Sequence, residues 1–144
     1  MRVLFGAMVA AAVFAAPARS TAQASDTSYA KSSTGVRNFD LGALKFKVLL
    51  DSAMLKGGEM EMVEITFPGS SPGGAHKHTR LEVIYVLEGE MDHVVNGTVY
   101  HLKPGSVGVV RPGDTVIHRV TSTTPVRALV IWAPGGELAR VERR

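Results

Sequence analysis

The sequence predicts an all-β domain, and three observations carry that reading. After residue 42, short apolar runs follow one another at close spacing, each closed by a turn signal. Beyond the N-terminal leader, no stretch repeats apolar residues at helical spacing for more than two turns. Asn96-Gly97 stands between two such runs, and a two-residue loop of that type is the strongest short hairpin signal. About eight strands spaced this way argue for a sandwich or a barrel.

The runs come in order. "ALKFKVLL" (43–50) ends before "KGG", and "EMEMVEITF" (59–67) ends in "PGSSPGG". In the latter the apolar parity changes between Met62 and Val63, which predicts a bulge. "EVIYVL" (82–87) stops at Glu88-Gly89. "EMDHVV" (90–95) and "TVYHL" (98–102) flank the hairpin turn. "SVGVV" (106–110), "VIHRVT" (116–121) and "VRALVIW" (126–132) complete the series before "APGG". The last residues, "ELARVERR", form a charged tail with room for one helical turn. One barrel over 43–135 with a tail over 136–144 is the expected organisation.

The N-terminus reads differently. Arg2 precedes an apolar run from Val3 to Ala16, and Ala22-Gln23-Ala24 offers a cleavage site. That layout predicts a cleavable signal peptide over 1–24 and export to the bacterial periplasm or medium. The run is too short and Ala-rich for a membrane span, so no membrane association is expected after cleavage. Residues 25–42 read as a loose polar leader into the barrel.

Cleavage would remove Arg2 and Arg19, leaving 14 basic against 13 acidic residues, a net charge of +1. A near-neutral chain without a basic stripe excludes nucleic acid as the expected partner. The chain has no cysteine, which excludes disulfides, thiolate metal sites and a cysteine nucleophile.

The five histidines carry the chemistry. In "HKHTRLEVIYVLEG", His76 and His78 share strand parity and project to one face. Glu82 joins them if the chain bends at Thr79-Arg80. Imidazole and carboxylate together suit divalent Fe, Mn, Ni, Cu or Zn better than Ca or Mg. A fourth ligand is expected from a distant strand, and His118 in "RPGDTVIHRV" is the best candidate.

His93 shares its expected face with Met91, Val95, Tyr100 and Leu102, so it points inward. It either lines a ligand pocket or orients a metal ligand; a buried histidine bonded to Tyr100 or backbone is the commoner arrangement. Met60, Met62 and Tyr100 are further candidates for a pocket wall, core filling being the simpler role for the methionines. His101 falls on the polar face, and Glu59, Glu61 and Glu64 read as solvated.

"HKHTRLEVIYVLEG" resembles the first cupin motif, H-x-H-x3-E-x6-G, through His76, His78, Glu82 and Gly89. "GSVGVVRPGDTVIH" resembles the second motif, G-x5-P-x-G-x2-H, more loosely: six residues rather than five separate Gly105 from Pro112, Gly113 follows Pro112 directly, and four residues rather than two separate Gly113 from His118. The resemblance spans about residues 43–135. It implies a single double-stranded β-helix, a jelly-roll cupin barrel. It implies that His76, His78, Glu82 and His118 hold one divalent transition metal.

Four protein ligands on an octahedral ion leave positions for water, substrate or dioxygen. The leading expectation is therefore a metal-dependent dioxygenase acting on a small phenolic or enolic compound, with Glu82 either a ligand or, swung off the metal, the catalytic base. The alternatives are a non-catalytic cupin that binds a sugar or organic acid, and a metal-assisted lyase or isomerase. The run at 43–50 reads as an edge strand on which a second copy would pair, giving a homodimer.

Overall fold

The computed structural model describes residues 37–143 except 53, 56 and 57. The signal-peptide expectation for 1–24 lies outside the described residues. The described residues form ten strands: β1 (Arg37–Leu41), β2 (Leu44–Leu50), β3 (Glu61–Phe67), β4 (His76–Lys77) and β5 (Leu81–Glu88), then β6 (Met91–Val95), β7 (Thr98–Leu102), β8 (Val107–Val110), β9 (Thr115–Arg119) and β10 (Val126–Ala133). One short helix, α1 (Leu138–Val141), follows. No helix among the described residues is long and apolar enough to cross a membrane.

The strands form two antiparallel sheets, ordered β1-β2-β3-β10-β5-β8 and β4-β9-β6-β7. Strict alternation along β3 and β10 turns every second residue to the interior, where Val63, Ile65, Phe67, Ala128, Val130 and Trp132 meet. The second sheet adds Met91, Leu102 and Val116. This is the layered all-β architecture that the spacing of the runs predicts, in the jelly-roll form that the motif resemblance implies. Ile84 is fully buried at its centre. We expect Ile84→Ala to cost about 2–5 kcal/mol, read as a lower denaturant midpoint at unchanged m-value.

The hairpin has the expected register, pairing Asp92 with His101, His93 with Tyr100 and Val95 with Thr98. Asn96 and Gly97 both take positive φ, as a type I′ turn requires. Gly89 closes the first motif for a steric reason: it too has positive φ, and a Cβ there would stand 2.6 Å from the Pro125 carbonyl oxygen.

Four expectations need correction. Residues 37–41 are not loose leader but strand β1, fixed on β2 by stacking of Phe39 on Phe46 at 4.6 Å. As a result β2 is an inner strand, and the sheet edge is β1. The register shift lies on β2, between Val48 and Leu50, opposite Met62 and Val63. The alternation of β3 runs unbroken, so it carries Glu61 inward with Val63 and leaves Met62 on the outer face. Glu61 is buried rather than solvated, and its Oε2 accepts the Leu138 N–H at 2.8 Å.

Candidate metal centre

Sheet register assembles the site. β4 pairs with β9 so that His76 sits opposite Val116, one same-face step from His118. The backbone of His78, just past β4, is held by Gly113 N–H donating to its carbonyl at 3.0 Å. Glu82 comes from β5 in the other sheet, directly opposite Trp132 on β10. Three imidazoles from one sheet thus meet one carboxylate from the other. Ring nitrogens of His76, His78 and His118 lie within 4.8 Å of one another.

The hydrogen bonds fix how these rings present themselves. His76 Nδ1 donates to the Gly74 carbonyl at 2.8 Å, and His78 Nδ1 donates to Glu137 Oε1 at 3.2 Å. Each ring therefore turns its Nε2 toward the centre, and the two Nε2 atoms are 3.1 Å apart. In their neutral forms these nitrogens would confront each other as lone pairs, an arrangement that calls for a proton or a cation between them.

Glu82 completes the centre. Its Oε2 accepts from Trp132 Nε1 at 3.0 Å and lies 2.9 Å from His78 Nε2. Its Oε1 lies 3.2 Å from His118 Nε2 yet makes no hydrogen bond of good geometry, an orphaned buried oxygen. Such an atom in a native fold demands a partner. A divalent ion satisfies the orphaned oxygen and separates the facing nitrogens at one stroke, so the residues fit a metal of the nitrogen- and oxygen-binding class.

The charges point the same way. Burial works to raise the Glu82 carboxyl, but the adjacent His118 and His78 overcome it and hold Glu82 well below the usual carboxylate range. Burial also opposes a charge on His78; hydrogen bonds to Glu82 and Glu137 outweigh it and raise the imidazole. His76 has no carboxylate bond, and burial lowers it.

A cavity of about 510 Å³ opens onto the centre. His76, His78, Glu82 and His118 form its polar end, and Leu41, Leu44, Phe46, Ile65, Phe67 and Trp132 supply much of its apolar wall. No lysine or arginine lines it among the described residues.

The other sequence candidates lie elsewhere. Met60, Met62 and Tyr100 do not line the cavity, because the parity of β3 turns Met62 outward and Tyr100 sits 51% exposed on edge strand β7. His93 does not reach the cavity either. It is buried behind His118, its cross-strand partner, with the two Nδ1 atoms 3.3 Å apart. In the tautomer that frees His118 Nε2 for an ion, His118 Nδ1 donates to His93. Burial, reinforced by His118, pushes His93 down to about 4, so it stays neutral and able to accept.

Two supporting residues escape the sequence reading. Trp132 holds Glu82, and Glu137 holds His78 across 59 residues of chain. Trp132 falls at the end of the run 126–132 and Glu137 at the start of the charged tail, and neither position carries a sign of its partner.

Residues 63–132 match the family described as Cupin domain. With the two-sheet fold and the histidine cluster, that match makes this a small cupin-domain chain. Solved structures agree on the fold. An RmlC-like cupin from Shewanella frigidimarina NCIMB 400 is 25% identical, with a TM-score of 0.61 over 74% of this chain and 90% of that one. A predicted oxalate decarboxylase from Thermotoga maritima is 22% identical, with a TM-score of 0.62 over 70% and 95%. Ectoine synthase from P. lautus is 18% identical, with a TM-score of 0.64 over 74% and 75%. No curated protein matches the sequence.

Proposed function

We propose that this chain is an exported, metal-dependent dioxygenase of a small, largely apolar phenolic or enolic compound. The observation that carries the reading is the cavity: an apolar chamber ending at three imidazoles and a carboxylate. Its volume falls within the range of small-molecule sites. His76, His78, Glu82 and His118 would hold the ion, which when bound supplies Lewis acidity and open coordination positions.

The protein's own residues supply the rest. Phe46, Phe67 and Trp132 give aromatic surface against which a ring packs. With no lysine or arginine on the wall among the described residues, a dicarboxylate would find no cation there besides the metal. A sugar would leave most of its hydroxyls facing hydrocarbon, at a cost in unmade hydrogen bonds. Both features favour a ligand with one oxygen-bearing edge and an apolar body. Glu82 is the candidate base if it swings off the ion: Oε2 is held by Trp132, and Oε1 has no hydrogen-bond partner in the protein. The apolar run and Ala22-Gln23-Ala24 at the N-terminus support export.

The experiment is elemental analysis of purified protein, then oxygen uptake with flavonols, catechols and diketones after loading with Fe, Mn, Ni or Cu. We expect about one ion per chain and uptake with at least one compound class. Stoichiometric metal without uptake in any combination would remove the oxygenase reading.

A further inference from the structure

The C-terminal turn is wired into the metal centre. Glu137 is completely buried, yet it sits one residue before α1 in a segment whose sequence reads as a charged tail. Four hydrogen bonds converge on its carboxylate. Oε1 accepts from His78 Nδ1 at 3.2 Å and from Arg140 Nη1 at 2.9 Å. Oε2 accepts from the Thr79 N–H at 3.1 Å and from Thr79 Oγ1 at 2.7 Å. A carboxylate is acceptor-only, so this arrangement obliges His78 to carry a hydrogen on Nδ1, and the proton that leaves when His78 becomes neutral is the one on Nε2, which then presents its lone pair.

The same turn is anchored a second time. Glu61 Oε2 accepts the Leu138 N–H at 2.8 Å, and Leu138 and Val141 are buried in the main core. Val141 also lines the cavity. The turn is therefore part of the chamber wall and, through Glu137, part of the ligand scaffold.

We propose that Glu137 is a positioning residue for the metal centre and that metal loading and docking of the 137–141 turn stabilise each other through the Glu137–His78 bond. The proposal rests on the metal site assigned above. Its physical content is reciprocal linkage: if the docked turn fixes His78 in its ligating tautomer, an ion on His78 must favour the docked turn by the same factor.

The test uses the full chain and the Glu137→Gln variant, titrated with Mn²⁺ and Zn²⁺ against a competing chelator. A glutamine cannot serve both His78 and Thr79, because its amide nitrogen places a donor against donors. We expect metal affinity to fall roughly 10–100-fold, the usual effect of removing a group that orients a metal-bound histidine. A lowered melting temperature of the metal-free variant with unchanged affinity would show a purely structural role and overturn the proposal.

Hydrogen exchange of the unmodified chain gives a second measurement independent of how the variant folds. The amides of Arg140, Val141 and Glu142 bond to the carbonyls of Glu137 and Leu138. Mn²⁺ should slow their exchange more than that of edge strand β7, and equal slowing would overturn the linkage. A parent chain that takes up no metal defeats the assignment of the metal site itself. A parent that binds metal as tightly as Glu137→Gln defeats only this proposal.

Discussion

Replacing His78 with alanine will abolish stoichiometric metal binding, and the metal-free protein will lose stability as well. His78 is the junction of the centre: Nε2 faces His76 at 3.1 Å and Glu82 at 2.9 Å, while Nδ1 reaches Glu137. Its removal takes one expected ligand and deprives two buried carboxylates of a partner. The metal loss should exceed the roughly 10–100-fold that a supporting group costs. Breaking a buried charge pair on one side costs about 3–5 kcal/mol, so chelator-treated His78→Ala should melt well below the parent.

The pH dependence has a definite sign. His78 is raised, so its stabilisation of the metal-free fold is complete below the ordinary imidazole pKa and lost as pH rises through the folded value. Glu82 is depressed, so its contribution is present above the ordinary carboxylate pKa and lost as pH falls through the folded value. Metal must displace the His78 proton, so affinity should fall with falling pH and proton release should accompany binding. His78→Ala should lose the alkaline arm of the stability curve; an unchanged arm would contradict the assignment.

Gly73→Ala should be strongly damaging for a change of a single methyl group. Gly73 has a φ of +66°, and a Cβ there would stand 2.3 Å from the His118 carbonyl oxygen and 3.0 Å from Ile117 Cγ2. The first contact is with backbone and has no flexible side chain to give way. The 68–75 segment would be pushed off β9, drawing His76 and His78 away from His118. The comparison is Gly113→Ala, where φ is +88° but no atom lies within 4 Å. That variant carries only the conformational strain of about 1–2 kcal/mol. We expect Gly73→Ala to lose clearly more stability than Gly113→Ala and to weaken metal binding, measured by melting and chelator titration. Equal losses would show that the close approach to β9 does not matter.

Where sequence succeeded and where it fell short follows from the range of the forces involved. The Asn96-Gly97 hairpin was legible because its register depends on two adjacent residues and nearest cross-strand pairs. The grouping of His76, His78 and Glu82 was legible because strand parity and one bend suffice to bring them together. Strand β1 was not, because Phe39 and Leu41 are its only large apolar side chains and its stability comes from Phe46 on a neighbour. β4 is two residues long and can show no period.

Glu61 and Glu137 were misread for a shared reason. A glutamate signals solvent unless its partner is known, and their partners are Leu138 and His78, each more than 50 positions away. His93 was placed inward by its face, but its bond to His118 depends on the pairing of β6 with β9, which local pattern does not contain.

The division of the centre between two sheets has a mechanical consequence. Packed layers of a β-sandwich adhere through dispersion and exclusion of water, forces that let the layers slide or breathe by small amounts. An ion gripped by imidazoles on one layer and a carboxylate on the other would act as a rivet through both. Opening the chamber along that seam and releasing the ion would then be one and the same motion.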